Sequence, residues 1–191
     1  EKSFIVCTKG GYMERYFLGN NSGSGFWNEY DGELKMMDKV ALIKGGSGTG
    51  KSTIMKKIAA YAQKNGHDIE IWHCSGDPKS LDGVYIKDIN RAVVDATAPH
   101  ASGADIPVVK DRIFDVANNL DKSKLDGMRD EIEKLIKCKK AHFMRVYQHL
   151  KSALCHYINQ IEIEKQGVDE RKIRRIASEY CEKLFLTDGV E

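Results

Sequence analysis

Hydrophobic positions along this chain follow three patterns in turn. Val40-Ala41-Leu42-Ile43 is a short apolar run of β-strand type, and Ile54, Met55, Ile58, Ala59 and Ala62 then recur at helical spacing up to a stop at Asn65-Gly66. Ile69-Glu70-Ile71-Trp72-His73-Cys74 alternates as a strand, Val84-Tyr85-Ile86 reads as a brief one, and Arg91 to Asp95 as a firm one. Phe4-Ile5-Val6-Cys7 predicts an earlier strand. The turn-forming stretch from Gly19 to Gly25 predicts a connector, followed by a helix whose face carries Phe26, Tyr30, Leu34 and Met37 with Ser24 as its cap. Ser75-Gly76-Asp77-Pro78 turns the chain, with Asp77 placed to cap a short helix and Pro78 at its first position. Arg112 to Val116 fits strand or helix equally, and the stretch from Ala98 to Pro107 is irregular.

From about Lys122 the period changes. Met128, Ile132, Leu135, Phe143, Tyr147, Leu150, Leu154, Tyr157, Ile158 and Ile161 recur every three or four residues, which predicts one long helix to about Lys165, on the order of 65 Å. Gly167 breaks it, and Asp169 can cap a second helix carrying Ile173, Ile176, Tyr180 and Leu184. The organisation expected is a core over residues 1–121 and a helical hairpin appendage over 122–187.

The segment between the first apolar run and its helix supplies the chemistry. Gly45-Gly46-Ser47-Gly48-Thr49-Gly50-Lys51-Ser52 is G-x-x-x-x-G-K-S, the phosphate-binding P-loop, in the strand–loop–helix setting that this motif requires. Glycines bring backbone N–H groups close to phosphate oxygens, and the following helix directs its positive dipole end at the same anion. Lys51 is placed for the β- and γ-phosphates and Ser52 for Mg²⁺, while Thr53 can touch the α-phosphate or simply pack. Ala92-Val93-Val94-Asp95, an apolar run ending in a carboxylate, makes Asp95 the candidate acid for Mg²⁺; a cap on the next turn is the plainer alternative. No Glu follows Asp95, so the water-activating residue is not evident. Asp77, Asp82 and His100 are candidates for water or substrate contacts, although each reads more readily as a turn or surface residue. Arg91 and Arg112 are available in cis as arginine fingers, although nothing in the sequence places them near a γ-phosphate.

Composition narrows the class. With 191 residues, 41% hydrophobic and 30% charged, the chain reads as an ordinary globular domain with an appendage. A net charge of +2 neither favours nor opposes a nucleic-acid partner. The hairpin is mildly basic, which a solvated face explains more readily than a nucleic-acid or partner contact does. No apolar run approaches the roughly 20 residues of a membrane span. Five scattered cysteines, with no secretory signal, suit reduced thiols in the cytoplasm. His142, His149 and His156 fall seven apart on one helix face, about 10 Å between neighbours, too far to share a metal. The chain does not begin with Met, as a piece of a longer protein would not.

Three further strings accompany the loop: Arg15 to Asn21 with Gly25-Phe26, His73 to Val84, and Val94 to His100, the last two more specific than the loop itself. With these the chain resembles the first half of an uncharacterised family of bacterial ATPases built from two tandem P-loop halves. The resemblance implies ATP binding with slow hydrolysis, Asp95 in the acidic-strand position, and a second half or another copy as partner. Ser47 stands where such loops often carry Pro.

The fold expected is α/β, a three-layer P-loop NTPase with a small mainly parallel sheet and a C-terminal helical hairpin. The function expected is an ATP-binding, Mg²⁺-dependent hydrolase that couples hydrolysis to a conformational step. A kinase for a small molecule or nucleotide, with the Pro99–Pro107 stretch or the hairpin as a lid, is the alternative. A nucleotide-gated module that binds a partner or nucleic acid is the third.

Overall fold

The apolar run Val40–Ile43 lies within strand β4 (Lys39–Lys44), and the other main-sheet strands are β1 (Met13–Tyr16), β5 (Ile69–His73), β6 (Leu81–Ile86), β7 (Arg91–Asp95) and β8 (Asp111–Asp115). This computed structural model describes residues 11–97, 106–107 and 109–186. The six strands form one sheet in the order β1-β5-β6-β7-β4-β8. β1 pairs with β5, β7 with β4, and β4 with β8 in parallel, whereas β6 runs antiparallel to both β5 and β7. The sheet is therefore mixed, with β6 alone opposed. The connections decide its direction: seven residues join β5 to β6 and four join β6 to β7, too few for the crossover that a parallel pair needs.

The pleat sends alternate residues of β4 to opposite faces, and a separate apolar cluster occupies each. Val40 and Leu42 pack with Trp72, Ala92 and Val94 under helix α1 (Tyr30–Lys35), which contributes Tyr30 and Leu34. Ile43 packs with Ile69, Ile71, Leu81 and Val84 under helix α2 (Lys51–Lys64), which contributes Met55, Ala59 and Ala62. Each fully buried large side chain stabilises by about 1.5–3 kcal/mol.

Several sequence expectations change here. The polar stretch from Gly19 forms a second, two-stranded antiparallel ribbon, β2 (Gly19–Ser22) and β3 (Gly25–Asn28). Its turn is closed by Ser22 Oγ donating to the Gly25 carbonyl at 2.7 Å. Phe26 thus lies on a strand, and α1 starts only at Tyr30 without a side-chain cap. Asp77 caps its own turn and no helix follows it. Residues 111–115 are strand, and Val116 opens a short 3-10 turn. The long helix is interrupted at Gly127-Met128, giving α3 (Lys122–Asp126) and α4 (Arg129–Lys165), followed by α5 (Glu170–Leu186). The expected strand at Phe4–Cys7 lies outside the described residues.

Parallel pairing sets Glu14 directly beside Glu70, a like-charge contact that opposes the fold. Lys87 resolves it by bonding Glu14 and lying 3.0 Å from Glu70. The hydrogen bond from Lys87 holds the Glu14 carboxyl below its ordinary 4.5. Burial alone would lower Lys87, but its two carboxylate partners outweigh that and raise it. A depressed carboxylate stabilises above its unfolded pKa and loses that contribution as pH falls through its folded value. The urea midpoint is therefore expected to fall below about pH 4.5, and Lys87→Gln to lower it at neutral pH while flattening that acid slope. With 35% of the Lys87 side chain exposed, the effect is about 1 kcal/mol or less.

Candidate functional site

β4 ends at Lys44 and α2 begins at Lys51, so the six residues between them must reverse the chain within one tight loop. Glycine makes this feasible: Gly48 has φ 79° and Gly50 has φ 91°, conformations that an L side chain rarely adopts. Gly50 occupies the cap position of α2, no side chain caps the helix, and its first turn holds no acidic residue. The first-turn N–H groups and the positive end of the helix dipole are thus left to an anion.

Lys51 is buried, at 9% exposure, and folds back over the loop. Its Nζ donates to the carbonyls of Gly45 at 2.7 Å and Gly46 at 2.8 Å, and lies 3.5 Å from Asp95 Oδ2. The parallel register pairs Ile43 with Asp95, which sets the tip of β7 beside the start of the loop. Lys51 and Asp95, 44 positions apart in the sequence, therefore meet. Thr97 completes the corner: its N–H donates to Asp95 Oδ1 at 2.8 Å and its Oγ1 to the Gly45 carbonyl at 2.9 Å. Thr49 Oγ1 donates to the Gly46 carbonyl at 2.8 Å. Sequence reasoning gave Thr97 no role; its place two residues beyond the strand-tip acid was the available signal.

Ser52 Oγ accepts from the Leu81 N–H at 3.0 Å, tying the start of β6 to α2. A hydroxyl has two lone pairs, so one remains for a metal. Thr53 is exposed. Asp77 is exposed and spends both oxygens on its own turn, on Ser80 Oγ at 2.6 Å and the Lys79 N–H at 3.1 Å; the Ser80 bond chiefly holds it below the usual carboxylate range.

Asp82 is buried at 3% exposure and accepts from the Tyr30 hydroxyl at 3.3 Å. Burial raises the Tyr30 phenol, and the charge of Asp82 adds to it, with smaller contributions from Cys74 and Asp95. Burial likewise pushes the Cys74 thiol up, which keeps it protonated and unsuited to nucleophilic chemistry. Tyr30, Cys74 and Asp82 thus form a polar knot close enough to Asp95 to feel its charge.

Arg91 opens β7, about 13 Å along the strand from Asp95, and Arg112 pairs with Ala41 in the middle of β8. Neither stands at the loop. His100 lies outside the described residues.

The arrangement can hold an anion through loop amides and one ammonium, beside a donor set of hard oxygens from Ser52 and Asp95. Such oxygens suit Mg²⁺, which is commonly held by one or two carboxylates together with substrate phosphates. No helix among the described residues is long and apolar enough to cross a membrane. Comparison with protein-family models, with curated proteins and with solved structures finds no match to this chain.

Proposed function

We propose that this chain is an ATP-binding protein of the three-layer P-loop class, a Mg²⁺-dependent ATPase of the cytoplasm that couples hydrolysis to a conformational step. The observation that carries this reading is the buried Lys51 ammonium, held between the Gly45 and Gly46 carbonyls and the strand-tip carboxylate of Asp95. A cation kept at the mouth of an amide-lined loop is ready to exchange its carbonyl partners for phosphate oxygens. The loop amides bind and orient the phosphates, and Lys51 takes up charge on the terminal ones. Thr97 fixes Asp95 through Oδ1, which aims the carboxylate, and Ser52 offers its remaining lone pair. Bound Mg²⁺ supplies charge neutralisation at the phosphates.

Calorimetric titration with Mg·ATP, Mg·GTP and Mg·ADP, followed by phosphate release, tests the proposal. Binding without release to water, but with transfer to an added acceptor, would move the assignment to a kinase. Absence of binding would sink it. Asp95→Asn is expected to weaken Mg·ATP about tenfold while leaving affinity in EDTA unchanged. An equal loss in EDTA would remove Asp95 from the metal.

A further inference from the structure

Helix α4 meets the core along one stripe of its surface. Lys139 Nζ lies 3.4 Å from Ser47 Oγ, in the loop. Phe143 sits over Gly76, where a Cβ would come 4.0 Å from its ring. Tyr147 Oη donates to Asn21 Oδ1 at 2.7 Å, and Asn21 Nδ2 in turn donates to Ser75 Oγ at 3.1 Å. Leu154 fills the space at Gly23, where a Cβ would come within 2.8 Å of Leu154 Cβ and 2.9 Å of the Leu150 carbonyl. Positions 139, 143, 147, 150 and 154 advance by three or four residues, so they share one helix face. Lys139 is the charged member of that stripe, and it is the member that reaches the loop.

Among the described residues Lys139 has no ion pair, and its polar contact is the Ser47 hydroxyl. The loop it approaches already carries the Lys51 ammonium and the positive end of α2. Asp95 offsets the Lys51 charge at 3.5 Å, so Lys139 adds a further positive charge to the loop, which an anion there would balance. The motif sends Lys51 to the β- and γ-phosphates, and its amine lies at Gly45 and Gly46, immediately before Ser47. Ser47 therefore marks the terminal-phosphate end of the loop.

We propose that Lys139 is a phosphate-binding residue delivered in cis by α4, contacting the terminal phosphate of a nucleoside triphosphate, so that α4 docks more tightly with triphosphate than with diphosphate. This rests on the nucleotide reading of the loop, and names the element that would carry its conformational step. The stripe transmits the contact: tightening at Lys139 draws on Phe143, Tyr147 and Leu154, which hold the Ser75–Gly76 corner and the β2–β3 turn.

The test is calorimetric titration of wild type, Lys139→Ala and Lys140→Ala with Mg·ATP and Mg·ADP, with hydrogen exchange across α4 in each state. Lys139 and Lys140 are both exposed, so neither change should disturb folding. Lys139→Ala is expected to weaken Mg·ATP about tenfold, leave Mg·ADP unchanged, and abolish the extra protection of α4 that Mg·ATP confers. Lys140→Ala, which removes the same charge one residue away, should change neither. Wild-type binding left intact in Lys139→Ala would overturn this inference alone. So would an equal loss for ATP and ADP, or an equal effect of Lys140→Ala. No binding by wild type would overturn the nucleotide reading, and this inference with it.

Discussion

Lys51→Ala is expected to lower Mg·ATP affinity by about 100-fold or more. A hydrogen bond to a charged group contributes about 1.5–3 kcal/mol, and each 1.4 kcal/mol is a factor of ten in affinity. Lys51 offers three donors, which now satisfy two carbonyls and approach one carboxylate. The change need not unfold the loop. The Gly45 carbonyl keeps its bond from Thr97, the Gly46 carbonyl keeps that from Thr49, and Asp95 keeps the Thr97 N–H. Circular dichroism and a thermal melt without nucleotide separate lost binding from lost folding. A folded variant that binds like wild type would remove the loop from nucleotide recognition.

The largest stability effect is expected at Gly83. In a strand interior, Gly→Ala ordinarily gains up to about 1 kcal/mol by restricting the unfolded chain. Here a Cβ would lie 2.3 Å from Trp72 Cε3 and 3.0 Å from Cζ3, because Gly83 is the cross-strand partner of Trp72. The indole cannot withdraw cheaply. It is fully buried, edge-on to Tyr30 at 6.0 Å and stacked with Tyr85 at 6.5 Å. Overpacking of this kind costs about 3 kcal/mol, so the clash outweighs the entropic gain. Urea denaturation of Gly83→Ala should show a lower midpoint at unchanged slope. Combining it with Trp72→Leu should cost less than the two single losses together, since the smaller side chain vacates the contested space. A midpoint at or above that of wild type would mean that the ring has room to shift.

The elements legible in the sequence are those whose signal is local. β4, the glycine loop and α2 follow one another without interruption, and period and motif agree throughout. β7 was legible as an apolar run with Asp95 at its end. The β2–β3 ribbon was not, because its strands read Gly-Asn-Asn-Ser and Gly-Phe-Trp-Asn, which carry turn chemistry and no clean alternation. α1 was placed too early for the same reason, since Phe26 and Tyr30 stand four apart by coincidence of a strand and a helix. The antiparallel direction of β6 was not legible in its residues, because apolar content does not report strand polarity; the short links on either side do.

Sequence by itself determined the glycine loop between β4 and α2, its lysine and serine, the acid at the tip of β7, and the amphipathic faces of the later helices. Each depends on residues within one turn or one strand of each other. The tertiary structure alone decided that Thr97 braces Asp95, that Asp82 is buried against Tyr30, that Gly83 lies against Trp72, and that Lys139 reaches Ser47 across 92 positions. Those contacts depend on the order of strands in the sheet and on where α4 meets the core, and neither is encoded in any local pattern of residues.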